Sequence, residues 1–236
     1  MNVALLTAGG VGARMHQDIP KQFLTVNEKP VIVYTLEAFQ AHGNIDEIVV
    51  VCVDGWENIL AAYAKQFGIT KLTKIVPGGR NGMESIMNGM FELEKDHAPD
   101  DIVLIHDSIR PMVSPDIISD CIVATQRYGC AITVIPCAEV MLTTDDSEVS
   151  TGQVNRDHLK RTQTPQGIYL RKACDLYRSE IAKGNTESIA LCATMIEAGE
   201  QVHFCHGSER NIKLTTVEDI DIFKALLIAE RAEWLK

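Results

Sequence analysis

Short apolar runs alternate with longer amphipathic stretches along the first half of the chain. The runs are rich in β-branched residues and do not alternate strictly, which is typical of strands that are covered on both faces. They occupy residues 2–7, 47–53, 74–76, 101–107 and 131–137. The stretches between them repeat apolar residues every three to four positions, which predicts helices over 30–42, 56–68, 83–95 and 114–129. Repeated strand–helix units predict an α/β fold with a doubly wound, mostly parallel sheet.

The pattern changes between residues 138 and 166, where a long apolar face is missing and an acidic turn occupies 145–147. These features predict a protruding β-arm. Because exposed extended arms tend to be covered by a partner, the arm favours a homodimer. Further along, the pattern predicts helices at about 170–182 and 187–198, strands at 201–206 and 211–216, and a last helix over 217–235. The sequence shows no linker or repeat, so we expect a single domain over residues 1–236.

Composition narrows the possible classes of function. The chain has 236 residues, of which 46% are hydrophobic, and a formal net charge of -10. Because no stretch gathers five or six basic residues, the sequence argues against a nucleic-acid or anionic-membrane partner. No apolar run reaches the roughly 18 to 20 residues of a membrane span, so we expect a cytoplasmic protein. The 7 cysteines are scattered without a C-x-x-C pair, which favours reduced thiols over a disulfide frame or a zinc site.

The connection after the first predicted strand, "LLTAGGVGARMHQDIPKQF" over residues 5–23, is the most informative segment. A dinucleotide fingerprint would need a third glycine where Met15 stands, which disfavours a nicotinamide-dependent oxidoreductase. A P-loop would need a glycine followed by Lys and a hydroxyl residue, which this segment lacks. What remains is a pliable loop whose glycines let backbone N–H groups approach a phosphate, with Arg14 and Lys21 able to point into one cavity. A tight strand-to-helix turn is the alternative.

Four motifs, in chain order, resemble the signature of the cytidylyltransferases that join CTP to a polyol phosphate. They are "AGGVGARM…PKQF" (8–23), "HDSIRP" (106–111), "NRDHLKRTQTPQ" (155–166) and "NIKLTTVEDI" (211–220). One branch of this family acts on ribitol 5-phosphate and another on 2-C-methyl-D-erythritol 4-phosphate. "IMNG" (86–89), Trp56 and the Thr pair after "NIKL" are more similar to the ribitol-phosphate branch. The resemblance implies a Rossmann-like nucleotidyltransferase fold, with CTP and a polyol phosphate as partners and Mg²⁺ as cofactor.

The implied reaction explains why the motifs hold these residue types. CMP transfer is an in-line attack by a phosphate oxygen of the acceptor on the α-phosphorus of CTP. The acceptor phosphate is already ionised, so the protein must position two polyanions and neutralise developing charge rather than supply a general base. The resemblance implies that Arg14 and Lys21 are catalytic and that Asp107 holds Mg²⁺ or the ribose. It also implies nucleotide-binding roles for Leu6, Ala8, Gly9, Gly10, Gly12, Gly79, Ser85, Asp107 and Ser108.

The same resemblance implies four residues around the acceptor. They are Arg110, Arg156, Thr164 and Lys213, of which Arg156 and Lys213 are also expected to be catalytic. Arg156 would reach across the dimer to the acceptor phosphate, and Lys213 would contact that phosphate near the α-phosphorus. Arg156 and Lys213 could instead be solvated surface charges. Asp107 could be a turn residue at the end of its strand. Thr164 and Ser85 could be helix caps or turn residues.

The chain departs from the family pattern at three places. Gly82 stands where the family often has an arginine, with Arg80 as the nearest substitute. Glu139–Val140 replaces an Asp-Thr pair in the arm, and "SIALC" (188–192) replaces a T-D-[AE] stretch. These changes favour ribitol, glycerol or mannitol phosphate, for a wall or capsule polymer, over methylerythritol phosphate. A non-catalytic CTP-binding relative is the alternative of a different class, although such a protein has no use for cations aimed at a transition state.

Overall fold

The order of strands and helices along the first half of the chain follows the prediction. The computed structural model describes residues 1–10 and 19–231. Its strands are β1 (Asn2–Ala8), β2 (Thr25–Val26), β3 (Lys29–Pro30), β4 (Glu47–Cys52), β5 (Leu72–Pro77), β6 (Ile102–Asp107), β7 (Cys130–Pro136), β8 (Met141–Thr143), β9 (Gly152–Val154), β10 (Lys160–Tyr169) and β11 (Phe204–His206). Its α-helices are α1 (Val31–Ala41), α2 (Glu57–Gln66), α3 (Gly82–Leu93), α4 (Pro115–Tyr128), α5 (Leu170–Ala182), α6 (Leu191–Glu197) and α7 (Val217–Arg231). Within the described ranges, none of the helices has the length and apolar character needed to cross a membrane.

Seven strands form one sheet in the described part of the chain, in the order β11–β7–β10–β6–β1–β4–β5. The strands β6, β1, β4 and β5 run parallel to one another, whereas β10 is antiparallel to both β6 and β7. The predicted α/β class with a mostly parallel sheet is therefore confirmed. Because β10 is reversed, it begins at the edge of the sheet where β1, β4, β5 and β6 end.

Both faces of the sheet are covered by apolar side chains. Successive residues of a strand point to opposite faces. Ala4 and Leu6 of β1 accordingly pack in the core that contains residues of α1, α2 and α4, whereas Val3 and Leu5 pack in the core that contains residues of α3 and α5. All four side chains are fully buried. Helix α3 lies so close to β1 that a Cβ on Gly89 would be 2.5 Å from Cδ1 of Leu5.

The arm ends earlier than predicted, because strand β10 occupies its last residues. The sequence predicts an arm over residues 138–166, but the chain re-enters the sheet at Lys160, which pairs with Pro136 of β7. The polar residues Gln163 and Gln166 are buried in this strand because their amides find internal partners. Nε2 of Gln163 donates to the Ser208 carbonyl at 2.8 Å, and Oε1 of Gln166 accepts from the Cys192 N–H at 3.1 Å. The part of the arm outside the sheet includes the exposed hairpin of β8 and β9.

The segment 211–216, predicted as a strand, is a non-regular connection. It is held by loop contacts rather than by strand pairing: the Leu214 N–H donates to the Ile109 carbonyl and the Asn211 amide donates to the Thr164 carbonyl, both at 2.9 Å. Asn211 and Leu214 are almost fully buried. The apolar spacing that suggested a strand therefore reflects packing against the loop after β6.

Two other boundaries differ from the prediction. The strand expected over 201–206 is limited to the three residues of β11, and the helix expected over 187–198 begins at Leu191. Helix α7 begins at Val217 as predicted, and the predicted continuation over 232–235 lies outside the described residues.

Candidate active site

A cleft of about 490 Å³ opens at the edge of the sheet where β1, β4, β5 and β6 end. Ligands of doubly wound sheets bind at this edge. The cleft brings together nine residues that the sequence predicts for the site: Ala8, Gly9, Gly10, Lys21, Gly79, Ser85, Asp107, Ser108 and Lys213. The remaining loop residues that the sequence singled out, Gly12 and Arg14, lie outside the described residues, and their roles stay predictions.

Two glycines form the floor of the cleft where the loops after β1 and β5 touch. A Cβ on Gly78 would lie 3.0 Å from the Cys52 carbonyl oxygen and 3.3 Å from Cα of Gly9. A Cβ on Gly9 would lie 2.9 Å from Oγ of Ser85. Side chains at these positions would push the two loops apart, so the glycines are needed for close backbone packing. Both glycines line the cleft.

Ser85 anchors the loop that leads into α3. Its hydroxyl donates to the Asn81 carbonyl at 2.9 Å and accepts from the Gly79 N–H at 3.0 Å. Asn81 caps α3, since its side chain accepts from the Glu84 N–H at 2.9 Å. These contacts show that Ser85 shapes the loop after β5, and its contact with the nucleotide stays a prediction.

Lys21 lies on a short 3-10 helix, Lys21–Phe23, that is tied to the base of the cleft. The next residue, Gln22, is buried and its amide donates to the carbonyls of Ala8 and Gly10, at 2.8 and 3.0 Å. Phe23 is also buried and stacks on Trp56, with ring centroids 4.6 Å apart. Gln22 thus fixes the start of the glycine-rich loop. Sequence reasoning missed this role. The only signal for it is that Gln22 lies inside the motif over residues 8–23.

The Asp107 carboxylate is held between two cations. Nε of Arg110 lies 3.0 Å from Oδ2, and Nζ of Lys213 lies 3.1 Å from both oxygens. Burial acts to raise the pKa of the Asp107 carboxyl, but the charges of Lys213 and Arg110 outweigh it and hold the pKa below its usual value. Arg110 itself is 9% exposed, and Nη1 donates to the Asn211 carbonyl at 2.8 Å. Arg110 is therefore buried between the Asp107 carboxylate and the Asn211 carbonyl, and it orients that carboxylate.

Thr164 lies behind Asp107, at the point where β10 meets β6. Its Oγ1 accepts from the Asp107 N–H at 3.0 Å and lies 3.0 Å from Nδ1 of His106. Burial lowers the pKa of His106 to about 4, so the imidazole is neutral at neutral pH. The sequence predicts a substrate contact for Thr164, and the structure shows its hydroxyl engaged with two protein groups. The sequence predicts no role for His106, which begins the motif over residues 106–111.

Leu6 and Arg156 lie apart from this group. Leu6 is fully buried in the sheet, where it pairs with β4 and β6, and it does not line the cleft. Arg156 is exposed on the 3-10 helix Arg156–His158, and its Nη1 donates to the Ala138 carbonyl at 2.8 Å. With Val140 it lines a separate hollow of about 410 Å³ on the arm. The predicted role of Arg156 in the site of a second subunit stays a prediction.

Arg80 lies at the cleft, close to the position where the family often has an arginine. Gly82 occupies that position as the first residue of α3. Nε of Arg80 lies 2.8 Å from Oε2 of Glu84, and the Arg80 side chain is otherwise exposed. The hydrogen bond from Arg80 lowers the pKa of the Glu84 carboxyl. The cation that the sequence proposes as a substitute is thus present at the mouth of the cleft.

The cleft offers oxygen donors for a divalent ion. Both Asp54 and Asp107 line it. Among residues 1–10 and 19–231, His, Cys, Asp and Glu side chains do not form a group of three that could hold a metal ion. Mg²⁺ commonly binds through one or two carboxylates together with substrate phosphates. This donor set therefore fits Mg²⁺ that is bound jointly with the nucleotide.

Comparisons with known proteins agree on one family. Residues 2–229 match the family model described as IspD, 2-C-methyl-D-erythritol 4-phosphate cytidylyltransferase. The ribitol-5-phosphate cytidylyltransferase of Lacticaseibacillus paracasei is 41% identical over 229 residues, which cover 96% of this chain and 98% of that protein. The 2-C-methyl-D-erythritol 4-phosphate cytidylyltransferase of Clostridium botulinum (strain Langeland) is 34% identical over 226 residues, which cover 96% and 97%.

A solved structure extends this similarity to the fold. The 4-diphosphocytidyl-2C-methyl-D-erythritol synthase of Anaerococcus prevotii aligns with a TM-score of 0.79 at 26% identity, covering 97% of this chain and 96% of that one. The similarity therefore spans the sheet and the cleft alike. The chain belongs to the IspD family of cytidylyltransferases, enzymes that transfer CMP from CTP.

Proposed function

We propose that the protein transfers CMP from CTP to ribitol 5-phosphate, giving CDP-ribitol and pyrophosphate. The observation that carries the proposal is the convergence of Lys21, Lys213 and Asp107 on one cleft floored by glycine loops. The relatives named for ribitol 5-phosphate are more similar, at 36% to 41% identity, than those named for methylerythritol phosphate, at 33% to 34%. This similarity supports ribitol 5-phosphate as the acceptor. The product would serve a wall or capsule polymer.

The residues around the cleft account for the chemistry. A phosphate oxygen of the acceptor attacks the α-phosphorus of CTP, a new P–O bond forms, and the bond from the α-phosphorus to the bridging oxygen breaks as pyrophosphate leaves. Lys21 neutralises the charge that develops on the triphosphate, together with Arg14 as the family resemblance implies. Lys213 draws the acceptor phosphate towards the α-phosphorus. An ionised phosphate needs no general base.

The nucleotide is held mainly by backbone groups in this proposal. The close packing of Gly9 against Gly78 brings the loops after β1 and β5 together in the cleft, where the backbone N–H groups of Gly9 and Gly10 would contact the phosphates. Ser108 also lines the cleft. Mg²⁺, held by Asp107 together with the phosphates, supplies charge neutralisation when it is bound.

A panel of acceptors tests the proposed function. Pyrophosphate release from CTP and Mg²⁺ is measured with ribitol 5-phosphate, the glycerol phosphates, mannitol and erythritol phosphates and methylerythritol 4-phosphate. We expect the highest kcat/KM with ribitol 5-phosphate. A higher value with another polyol phosphate would refute the acceptor assignment. Binding of CTP without turnover on any acceptor would favour the alternative of a non-catalytic relative.

The arm supports the further proposal of a homodimer. Its large apolar side chains are exposed in a single chain, with Val140 70%, Leu142 62% and Val149 63% exposed. A second copy would cover these side chains and bring Arg156 to the site of its partner. All cysteines are unpaired and buried, which supports action in the reducing cytoplasm.

Leu142→Asp is expected to convert the dimer into monomers and to lower activity, because a charge on the covered face cannot be buried without a partner. Sedimentation equilibrium measures the oligomeric state, and pyrophosphate release measures the activity. Val123→Asp is the matched control, since Val123 is 61% exposed on α4. A monomeric wild-type protein, or a Leu142→Asp variant that stays dimeric, would contradict the proposal.

A further inference from the structure

His106 lies at the end of β6, buried beside the residues that line the cleft. Its side chain is fully buried and its ring packs against Phe39, with ring centroids 5.0 Å apart. Nδ1 lies 3.0 Å from Oγ1 of Thr164, and Nε2 lies 3.2 Å from the carbonyl oxygen of Arg110. The imidazole therefore joins β10 to the turn that follows β6.

The chemistry of the partners assigns each proton in this cluster. A carbonyl oxygen can only accept, so Nε2 of His106 carries the ring proton and donates to Arg110. The ring is fully buried and both of its partners, the Arg110 carbonyl and the Thr164 hydroxyl, are uncharged, so Nδ1 carries no second proton. Nδ1 is then an acceptor, and the Thr164 hydroxyl donates to it. Oγ1 of Thr164 in turn accepts from the Asp107 N–H, at 3.0 Å. We call this chain of hydrogen bonds, from His106 through Thr164 to Asp107, the His106 relay.

We propose that His106 is a positioning residue for CMP transfer, which orients the Thr164 hydroxyl and thereby fixes Asp107 at the wall of the cleft. The consequence extends beyond Asp107 because its carboxylate contacts both Arg110 and Lys213. Without the ring nitrogen as acceptor, the Thr164 hydroxyl loses its fixed direction. Groups of this kind, which hold a functional side chain from behind, typically contribute 10-fold to 100-fold to activity. The inference rests on the proposed CMP transfer and adds a residue that acts through others.

Two amide variants distinguish a role of His106 as hydrogen-bond acceptor for Thr164 from a role in packing alone. In His106→Asn the side-chain oxygen can occupy the place of Nδ1 and accept from Thr164. In His106→Gln the amide nitrogen can occupy the place of Nε2 and donate to Arg110, but Thr164 loses its acceptor. We expect His106→Asn to keep kcat within about threefold of the wild type and His106→Gln to lower kcat by about 10-fold to 100-fold. The KM for CTP should change less than threefold in both variants.

Packing alone would give the opposite order, because glutamine is closer in size to histidine than asparagine is. If His106→Gln is the more active variant, the proposal is wrong. His42→Gln is the matched control, since His42 is also buried and its Nε2 lies 3.0 Å from Oγ of Ser119. We expect the kcat of this control to stay at the wild-type value. An equal loss in the control would mean that any buried imidazole matters, and would overturn the proposal.

A double variant tests whether His106 acts through Thr164. We expect Thr164→Val to lower kcat about as much as His106→Gln, and the double variant to be no worse than either, because both break the His106 relay. Losses that multiply would show independent roles and contradict the relay. A rise in the KM of the acceptor in Thr164→Val, with kcat unchanged, would instead show that Thr164 contacts the substrate.

The ring nitrogens give a readout that needs no turnover. The ¹⁵N resonances of His106 at neutral pH should show a protonated Nε2 and a bare Nδ1, and the Nδ1 resonance should shift in Thr164→Val. A protonated Nδ1 would refute the relay. Because this measurement does not depend on the acceptor, failure of the relay can be distinguished from failure of the proposed function.

Discussion

Lys21→Met is expected to lower kcat for CMP transfer by about 10²-fold to 10³-fold, the usual loss when one preorganised donor to a developing charge is removed. The substitution keeps the alkyl chain and removes the ammonium group. Lys21 lines the cleft, and its backbone is fixed by the buried neighbours Gln22 and Phe23. Its charge is therefore already in place when the transition state forms. The loss should appear in kcat, measured as pyrophosphate release at saturating CTP, more than in the affinity for CTP.

Lys29→Met is the control for this prediction. Lys29 is also partly exposed, but its ammonium lies 2.7 Å from Oε2 of Glu37. We expect the kcat of this control to stay within a factor of two of the wild-type value. A kcat for Lys21→Met within tenfold of the wild type would show that Lys21 is not the cation that stabilises the transition state.

Lys213→Met is expected to have a loss of similar size, about 10²-fold to 10³-fold in kcat, with a raised KM for the polyol phosphate and an unchanged affinity for CTP. Lys213 is held at the cleft because its neighbours Asn211 and Leu214 are buried and the Leu214 N–H donates to the Ile109 carbonyl in the loop after β6. Steady-state kinetics with each substrate varied in turn separates these effects. Lys224→Met is the control, since Lys224 pairs with Asp221 on α7. An unchanged acceptor KM would contradict the role of Lys213 on the acceptor side.

The same variant should change the pH dependence of the reaction. Burial acts to raise the pKa of Asp107, and the charges of Lys213 and Arg110 more than offset this effect. Removing the Lys213 charge must therefore raise the pKa of Asp107. If the ionised carboxylate is the active form, the acid limb of the kcat profile should move to higher pH in Lys213→Met. Lys224→Met should leave the acid limb in place.

The parallel half of the fold could be predicted because its strands are buried on both faces. Such strands have to be continuous apolar runs, and β1, β4 and β6 are visible in the sequence for that reason. Strand β10 could not be predicted in this way. Its buried residues Gln163 and Gln166 are stabilised by Ser208 and by Cys192, which are distant in sequence. A local pattern cannot show that such partners exist.

In the site, too, some residues could be predicted from the sequence, whereas others depend on partners that are distant in sequence. Motif residues on loops after parallel strands share one edge of the sheet, so the meeting of Lys21 and Asp107 at the cleft followed from topology. The supporting residues Gln22, His106 and Asn211 act through contacts with other loops that only the folded chain defines. They look like ordinary polar residues in the sequence.

The pairing of Lys160 with Pro136 has an evolutionary consequence. The chain leaves and re-enters the sheet at neighbouring points, so insertions or deletions between these two residues need not shift the register of β7 or β10. The glycine loops of the cleft come from a different stretch of the gene. Mutation can therefore rewrite the arm while the glycine loops stay constant. If the arm contacts the acceptor, as proposed, a lineage can acquire a new acceptor without rebuilding its nucleotide chemistry.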